Sequence, residues 1–556
     1  MNFRSRAKIF YQQILSAVLL STLFFSYAAG QKRPAPSATA RFQQGVALTK
    51  KGDFANAVVN LQEAIKINPK YYEATVALGL ALENAHRLAE AAEAFRQATI
   101  LRPAAAEPHL LLGGLLQQQN DAAGALAEYQ AAIKINPKSA QAHAAAGFVL
   151  AAQNSLPAAI AEFETAIKLD PTLADAHYYL GTAKLFADDA KGAIKPLTQA
   201  ARLAPNKPDA QYYLGLALQK VGNLDSAIVA LRAAVRLAPA MIEAHQALAT
   251  TLVANNDLDA AIAEYRALIK LKPDFAQNYN DLGLLLVEKR DPDAAIVAFN
   301  QALKLEPNNP IGRHNLGMAL IQKSDFAAAV AAYQDLIRLT PDDAAAHYNL
   351  ALALKQQDKL DEAAAALRRA IELQPDKLPE IYYTLGVILL QQARLDEAGA
   401  EFQKAIEIKP DYGEAYYTLG SVRQQQNQPD EAINLFRTAL KFLPDAPEIH
   451  NTLGTTLRQK GNLEEAKKEL QEAARLNKLK SDRQAATFAL NTGLADLKNN
   501  KPDEAIAQFQ AAIKLTPDNA VAHYYLAKAF KLKGKKTEAD AAYQKAKQLD
   551  ARLKPL

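Results

Sequence analysis

An all-α solenoid of stacked two-helix units is the fold class this chain predicts, and three observations predict it. Proline recurs at an unbroken spacing of 34 residues, at Pro69, Pro103, Pro137, Pro171, Pro205, Pro239, Pro273, Pro307, Pro341 and Pro375. The beat continues at Pro410, Pro444 and Pro517. With each proline at position 32 of its unit, position 20 is alanine in all fifteen units, from Ala57 to Ala539. In the same frame position 8 is glycine in twelve units and alanine in three (Ala249, Ala351, Ala527), while position 24 is always large and apolar or aromatic. A fixed period in this range marks an architecture in which each unit buries its apolar face on its neighbours.

The units begin at residues 38, 72, 106, 140, 174, 208, 242, 276, 310, 344, 379, 413, 447, 486 and 520, and the array occupies residues 38–553. Each opens with a helix at position 1, where Pro208, Pro310, Pro379 and Pro447 stand; a first-turn proline gives up no helical hydrogen bond. Acidic residues at position 2 (Glu73, Glu107, Asp175, Asp209, Glu243, Glu380, Glu414, Glu448) lie in that first turn, where the helix dipole favours them. They read as helix chemistry rather than as an acidic binding track. Gly52, Gly222 and Gly461 at position 15 supply the turn between helices, and Pro157, Pro292, Pro429 and Pro502 at position 17 or 18 open the second helix. Small residues at positions 8 and 20 let the two backbones approach, and the side chain at 24 fills the space beside them. The closing proline cannot continue the second helix and starts the turn into the next unit.

Two places break the pattern. In unit 5, Lys184 takes position 11, usually apolar, and Gly192 and Pro196 fall four apart inside the second helix. Pro196 removes a hydrogen bond at a cost of ~3 kcal/mol in a regular helix, which predicts a kink or local loosening and a hinge between units 1–4 and 6–15. The other break is Ser481–Ala485, an insertion after a unit that has Lys478 in place of its closing proline. It predicts an extended helix or a longer loop before the last two units.

The leader has its own character. Arg4, Arg6 and Lys8 precede an uncharged apolar run from Ile14 to Tyr27 and the small residues Ala28-Ala29-Gly30. That is the layout of a secretory signal peptide over residues 1–30, with an uncleaved membrane anchor over 14–29 as the rival. Residues 31–37 read as a short stiff linker and 554–556 as a tail. The expected location is exported, periplasmic or extracellular. Composition narrows the function further. The formal charge of +5 equals the five cations Arg4, Arg6, Lys8, Lys32 and Arg33 of the acid-free leader, so the array is close to neutral and lacks the basic stripe of a nucleic-acid surface. With no cysteine, disulfides, thiolate metal ligands and a cysteine nucleophile are excluded.

Small at 8, alanine at 20, aromatic at 24, small at 27 and proline at 32 resembles the tetratricopeptide repeat over almost the whole chain after the leader. The family often carries tryptophan at position 4. This chain has no tryptophan and places His109, His143, His177, His245, His347, His450 and His523 there, with Tyr279, Tyr382 and Tyr416 elsewhere. The resemblance implies a right-handed superhelix of helical hairpins whose first helices line a concave groove, and a protein that binds other proteins without catalysis.

The candidate residues follow from that frame. One histidine per stacked hairpin cannot close a metal shell of three or four donors, so the row reads as packing rings and no metal or cofactor is expected. Tyrosine at position 5 (Tyr178, Tyr212, Tyr348, Tyr383, Tyr417, Tyr524) falls on the groove wall that the resemblance implies, as an aromatic ladder for a peptide or as plain packing. Glutamine at position 13 (Gln118, Gln322, Gln356, Gln391, Gln425, Gln459) forms a second row able to donate and accept along an extended backbone. Units 10–12 combine the rows, which makes Tyr348, Tyr383, Tyr417, Gln356, Gln391 and Gln425 the expected partner surface. Position 5 is never lysine and position 9 never asparagine, so a clamp of that kind for a C-terminal carboxylate is not expected. The expected function is a scaffold for a protein or peptide segment in a bacterial cell-envelope assembly or export system. The alternative is a structural protein that oligomerises through its repeat ends.

Overall fold

The computed structural model describes residues 36–374, 378–553 and 555. The expected signal peptide, residues 31–35 of the linker and residues 554 and 556 lie outside the described residues. Among the described residues the regular structure is 29 α-helices in series, with no strand. The first runs over Pro36–Lys50, two residues into the segment read as linker, because its proline is tolerated in a first turn. Phe54–Ile67 follows it, and the alternation repeats as Tyr72–Asn84 with Leu88–Leu101 and onward.

Position 15 of every repeat takes the left-handed conformation, with φ from +58° at Asn500 to +86° at Gly461. Glycine accepts this freely, and asparagine or aspartate with little strain, which accounts for Asn120, Asn154, Asp188, Asn256, Asp358 and Asn427 there. The next residue then donates its backbone N–H back across the turn, as Arg87 does to the Leu82 carbonyl at 2.9 Å. Position 16 frequently caps the second helix; the Asp121 carboxylate accepts from the Gly124 N–H at 2.9 Å.

The chain divides into two compact bodies, one ending at Asp291 and one beginning at Pro292. In the first, one apolar core runs from Ala57 to Ala230, beside a small cluster of Ala38, Ala64, Tyr71 and Ala74. In the second, one core spans Leu320 to Val422 and another Ala432 to Ala466, and both draw on Tyr416. Two further clusters follow, one from Ala486 to Ala522 and one from Ala505 to Ala542. The close approach at position 8 is real: a Cβ on Gly79 would stand 2.4 Å from the Phe95 ring.

The two irregular places resolve differently. Around Pro196 the expected loosening does not occur, because the helix Ala190–Leu203 is unbroken with Pro196 inside it. Asp189 caps its first turn by accepting from the Gly192 N–H at 2.8 Å, and Pro196 and Leu197 are buried, so packing offsets the lost hydrogen bond. The boundary between compact bodies also falls at Asp291, not in repeat 5. Lys184 is satisfied by Glu164 on the preceding second helix at 2.8 Å. At Ser481–Ala485 the helix alternative is the one adopted: Leu463–Lys498 is a single helix of 36 residues.

Candidate protein-binding surface

Repeats 10, 11 and 12 contribute the first helices Ala344–Gln356, Pro379–Gln391 and Gly413–Gln425. Tyr348, Tyr383 and Tyr417 sit at equivalent places on them and are half-buried. Packing accounts for one side of these rings. Tyr383 lies 5.6 Å from Phe402 and Tyr417 lies 5.8 Å from Phe436, each the buried position-24 ring of its own repeat. Their hydroxyls reach the next repeat, Tyr383 to the Thr418 hydroxyl and Tyr417 to the Thr452 hydroxyl, both at 3.4 Å. The tyrosines therefore do structural work and still present an edge to solvent.

Gln356, Gln391 and Gln425 end the three helices and are exposed. Eight residues separate each from its tyrosine, about 12 Å along the helix axis. The structure thus keeps the six residues as two parallel rows rather than one cluster. The glutamines one residue later are different: Gln392 donates to Asp361 at 2.8 Å and Gln426 to Asp396 at 2.7 Å. The same edge link recurs as Lys289–Asp259 at 2.6 Å and Lys533–Asp503 at 2.7 Å. In repeats 11 and 12 position 14 holds the preceding repeat, and position 13 is free to hold something else.

One member of this surface escaped sequence reasoning. Tyr412, the last residue of repeat 11, wedges beside Tyr383 with ring centroids 5.2 Å apart, and Lys409 stands 4.8 Å over its ring. Burial, and then the nearby Glu380, Tyr383, Glu414 and Tyr348, push its hydroxyl well above the usual tyrosine range, so it stays a neutral donor. The exposed Glu380 and Glu414 give the tyrosine row an acidic border. Tyr412 is invisible in the position-5 row because it lies in the connecting turn.

The position-4 histidines are connectors. Nε2 of His143 donates to the Pro137 carbonyl at 3.1 Å, and the same bond to the closing proline of the preceding repeat recurs at His177, His245, His347, His450 and His523. In repeats 4, 7 and 13 Nδ1 also meets a position-23 glutamate at 2.6 Å (His143–Glu162, His245–Glu264 and His450–Glu469), and in repeat 3 His109 meets Glu128 in the same way. The recurrence of histidine at 4 with glutamate at 23 was the available signal in the sequence. His245→Ala is expected to cost about 1–2 kcal/mol, since it strips both links from a ring only 6% exposed. His347→Ala, which loses the carbonyl link alone, is expected to cost less; denaturant titrations followed by circular dichroism compare them.

Family models described as tetratricopeptide repeat match residues 42–108, 178–242, 247–310 and 314–377, then 377–445 and 423–486. A further TPR repeat model matches 147–185 and 493–534. No curated protein matches the chain. Among solved structures it is similar to yeast Tom70 at 17% identity and a TM-score of 0.32, covering 76% of this chain and 96% of that one. YrrB, a TPR protein with an unusual peptide-binding site, is similar at 23% identity and 0.27, over 40% and 97% of the two chains. MamA from Desulfovibrio magneticus RS-1 is similar at 19% and 0.30, over 31% and 96%. At these identities the likeness is one of fold.

Proposed function

Since the chain belongs to the tetratricopeptide repeat family, we propose that it is a non-enzymatic scaffold holding a segment of another protein across the first helices of repeats 10–12. The observation that carries this is the row of exposed amides at Gln356, Gln391 and Gln425, uncommitted while Gln392 and Gln426 beside two of them are bonded to the preceding repeat. An extended backbone can take hydrogen bonds from that row while its side chains meet the edges of Tyr348, Tyr383 and Tyr417. The acidic border of Glu380 and Glu414 favours a segment with basic groups among apolar ones. A nearly neutral array gives nucleic acid no purchase.

The basic, apolar and small-residue succession of residues 1–30 supports an exported protein working in a bacterial cell-envelope assembly or export system. Self-assembly through the repeat ends is the competing function. A photo-crosslinking residue at Gln391 in the source cell separates them. We expect capture of a single heterologous envelope protein; capture of this chain alone would replace the scaffold with the self-assembling alternative.

A further inference from the structure

The long helix Leu463–Lys498 joins two repeats that would otherwise stack. Its first half is the second helix of repeat 13, and its second half is the first helix of repeat 14. At regular junctions these two kinds of helix pack on each other. A Cβ on Gly399 (position 21 of repeat 11) would touch Leu419, Val422 and Arg423 (positions 7, 10 and 11 of repeat 12) at 3.6–3.7 Å. Fused end to end in one straight element, the two halves cannot make that contact with each other, and both faces stand open.

The burial pattern records this. Position 3 is buried in repeats 2 to 13 and in repeat 15, yet Phe488 at position 3 of repeat 14 is 73% exposed. Position 10 is buried in the same repeats, and Ala495 is exposed. On the other face, the position-24 side chain is buried in every repeat except 13 and 15, where Leu470 and Tyr543 are half-exposed. Leu463 is 64% exposed, and an open groove there is lined by Leu463, Lys467, Leu470, Gln471 and Ala474. The buried apolar cluster of repeats 12 and 13 ends at Ala466, and those of repeats 14 and 15 begin at Ala486 and Ala505.

The charges name the occupant. Position 21 is apolar or glycine in repeats 1 to 12 and 14, and it is Lys467 in repeat 13. Position 11 is leucine in most repeats, and it is Asp496 in repeat 14. These two positions face each other across a junction, so the paired change places opposite charges where they would meet. A charge at position 11 already pairs across a junction in repeat 5, where Lys184 meets Glu164 at position 25 of repeat 4.

We propose that a second copy of this chain closes both faces. Successive residues turn by about 100°, which puts Leu463, Lys467, Leu470, Ala474, Phe488, Ala495 and Asp496 within an arc of roughly 100° on one side of the helix. Two such helices, laid antiparallel about a two-fold axis near Ser481 and Asp482, set Lys467 of each copy against Asp496 of the other. The apolar residues of the stripe then line a seam about 50 Å long. Each copy supplies the neighbouring helix that the other lacks, and the interface is isologous, so assembly ends at a pair. This differs from end-to-end stacking through repeats 1 and 15.

The absence of cysteine makes the test direct. Full-length chains carrying Lys467→Cys alone and Asp496→Cys alone are mixed and oxidised. The expected product is a disulfide between the two different variants, with little within either variant alone, because like positions lie about 43 Å apart in the pair. Sedimentation of the unmodified chain is expected to show a dimer. Lys467→Asp should weaken it at least about tenfold, and adding Asp496→Lys should restore it. Both sites are at the surface or its margin, so folding is preserved in each variant. A disulfide from Lys467→Cys alone, or closure within one chain of the double-cysteine variant, would overturn the proposal, as would failure of the charge exchange to restore association. Closure within one chain would mean that the helix breaks over 477–485 and the chain covers its own faces.

Discussion

Phe402→Ala is expected to lower stability by about 3–5 kcal/mol, the usual cost of removing a fully buried aromatic ring. Phe402 is 0% exposed, lies against Gly386 at the narrowest point of its hairpin, and backs Tyr383 at 5.6 Å. Neighbouring repeats cannot collapse into the space, because their own backbones are held at the same spacing by their own position-24 side chains. Since each repeat rests on its neighbours, the loss should be local in place and large in effect. Hydrogen exchange is expected to quicken across repeats 10–12 before elsewhere. The chain has no tryptophan, so far-UV circular dichroism follows the unfolding. Tyr383 should lose its seat as well, and crosslinking from Gln391 should fall with it. A loss below about 1 kcal/mol would mean that position 24 is not the keystone of the hairpin.

Gly386→Val is expected to cost about 1–3 kcal/mol by the opposite route, overpacking. A Cβ on Gly386 would stand 2.7 Å from the Phe402 ring, closer than carbon atoms approach, so the ring or the helix must shift. Gly399→Ala is the contrasting case in the same repeat. Its nearest neighbour would be 3.6 Å away, and the helix interior gains alanine for glycine, so stability should rise by about 0.5–1 kcal/mol. Thermal unfolding of the two variants checks the pair. Equal effects of both would show that helix propensity, not the close approach, decides position 8.

Much of this was legible in the residues. The proline beat, Ala57 to Ala539 at position 20 and the rings at position 24 announce a helical hairpin every 34 residues, because helix packing leaves few residue types that fit those places. The turn was legible where glycine stood at 15, and less so at His86, Arg290 or Ala393, whose left-handed backbone is imposed by the flanking helices. Pro196 misled because local propensity prices a proline in isolation, whereas the buried Leu197 and the Asp189 cap hold that helix in place.

The candidate surface was half legible. The rows at positions 5 and 13 could be read from the period alone. That Gln392 and Gln426 at position 14 are consumed by links to Asp361 and Asp396 could not, because each depends on a residue about 30 places away. Tyr412 was missed for the same kind of reason.

What the sequence determined by itself was the repeat: its length, its two helices, its small and large partners, and the absence of any room for a separate domain within residues 38–553. Which repeats meet was settled by packing in three dimensions. Across Leu476–Ala485 there is no glycine or proline, and leucine, lysine, arginine, glutamine and alanine all propagate a helix. One continuous helix therefore replaces a turn, and Phe488, a core position in every comparable repeat, is left at the surface. Exposure at a junction belongs to a pair of helices and not to a residue, so it could be read only once the neighbour's place was known.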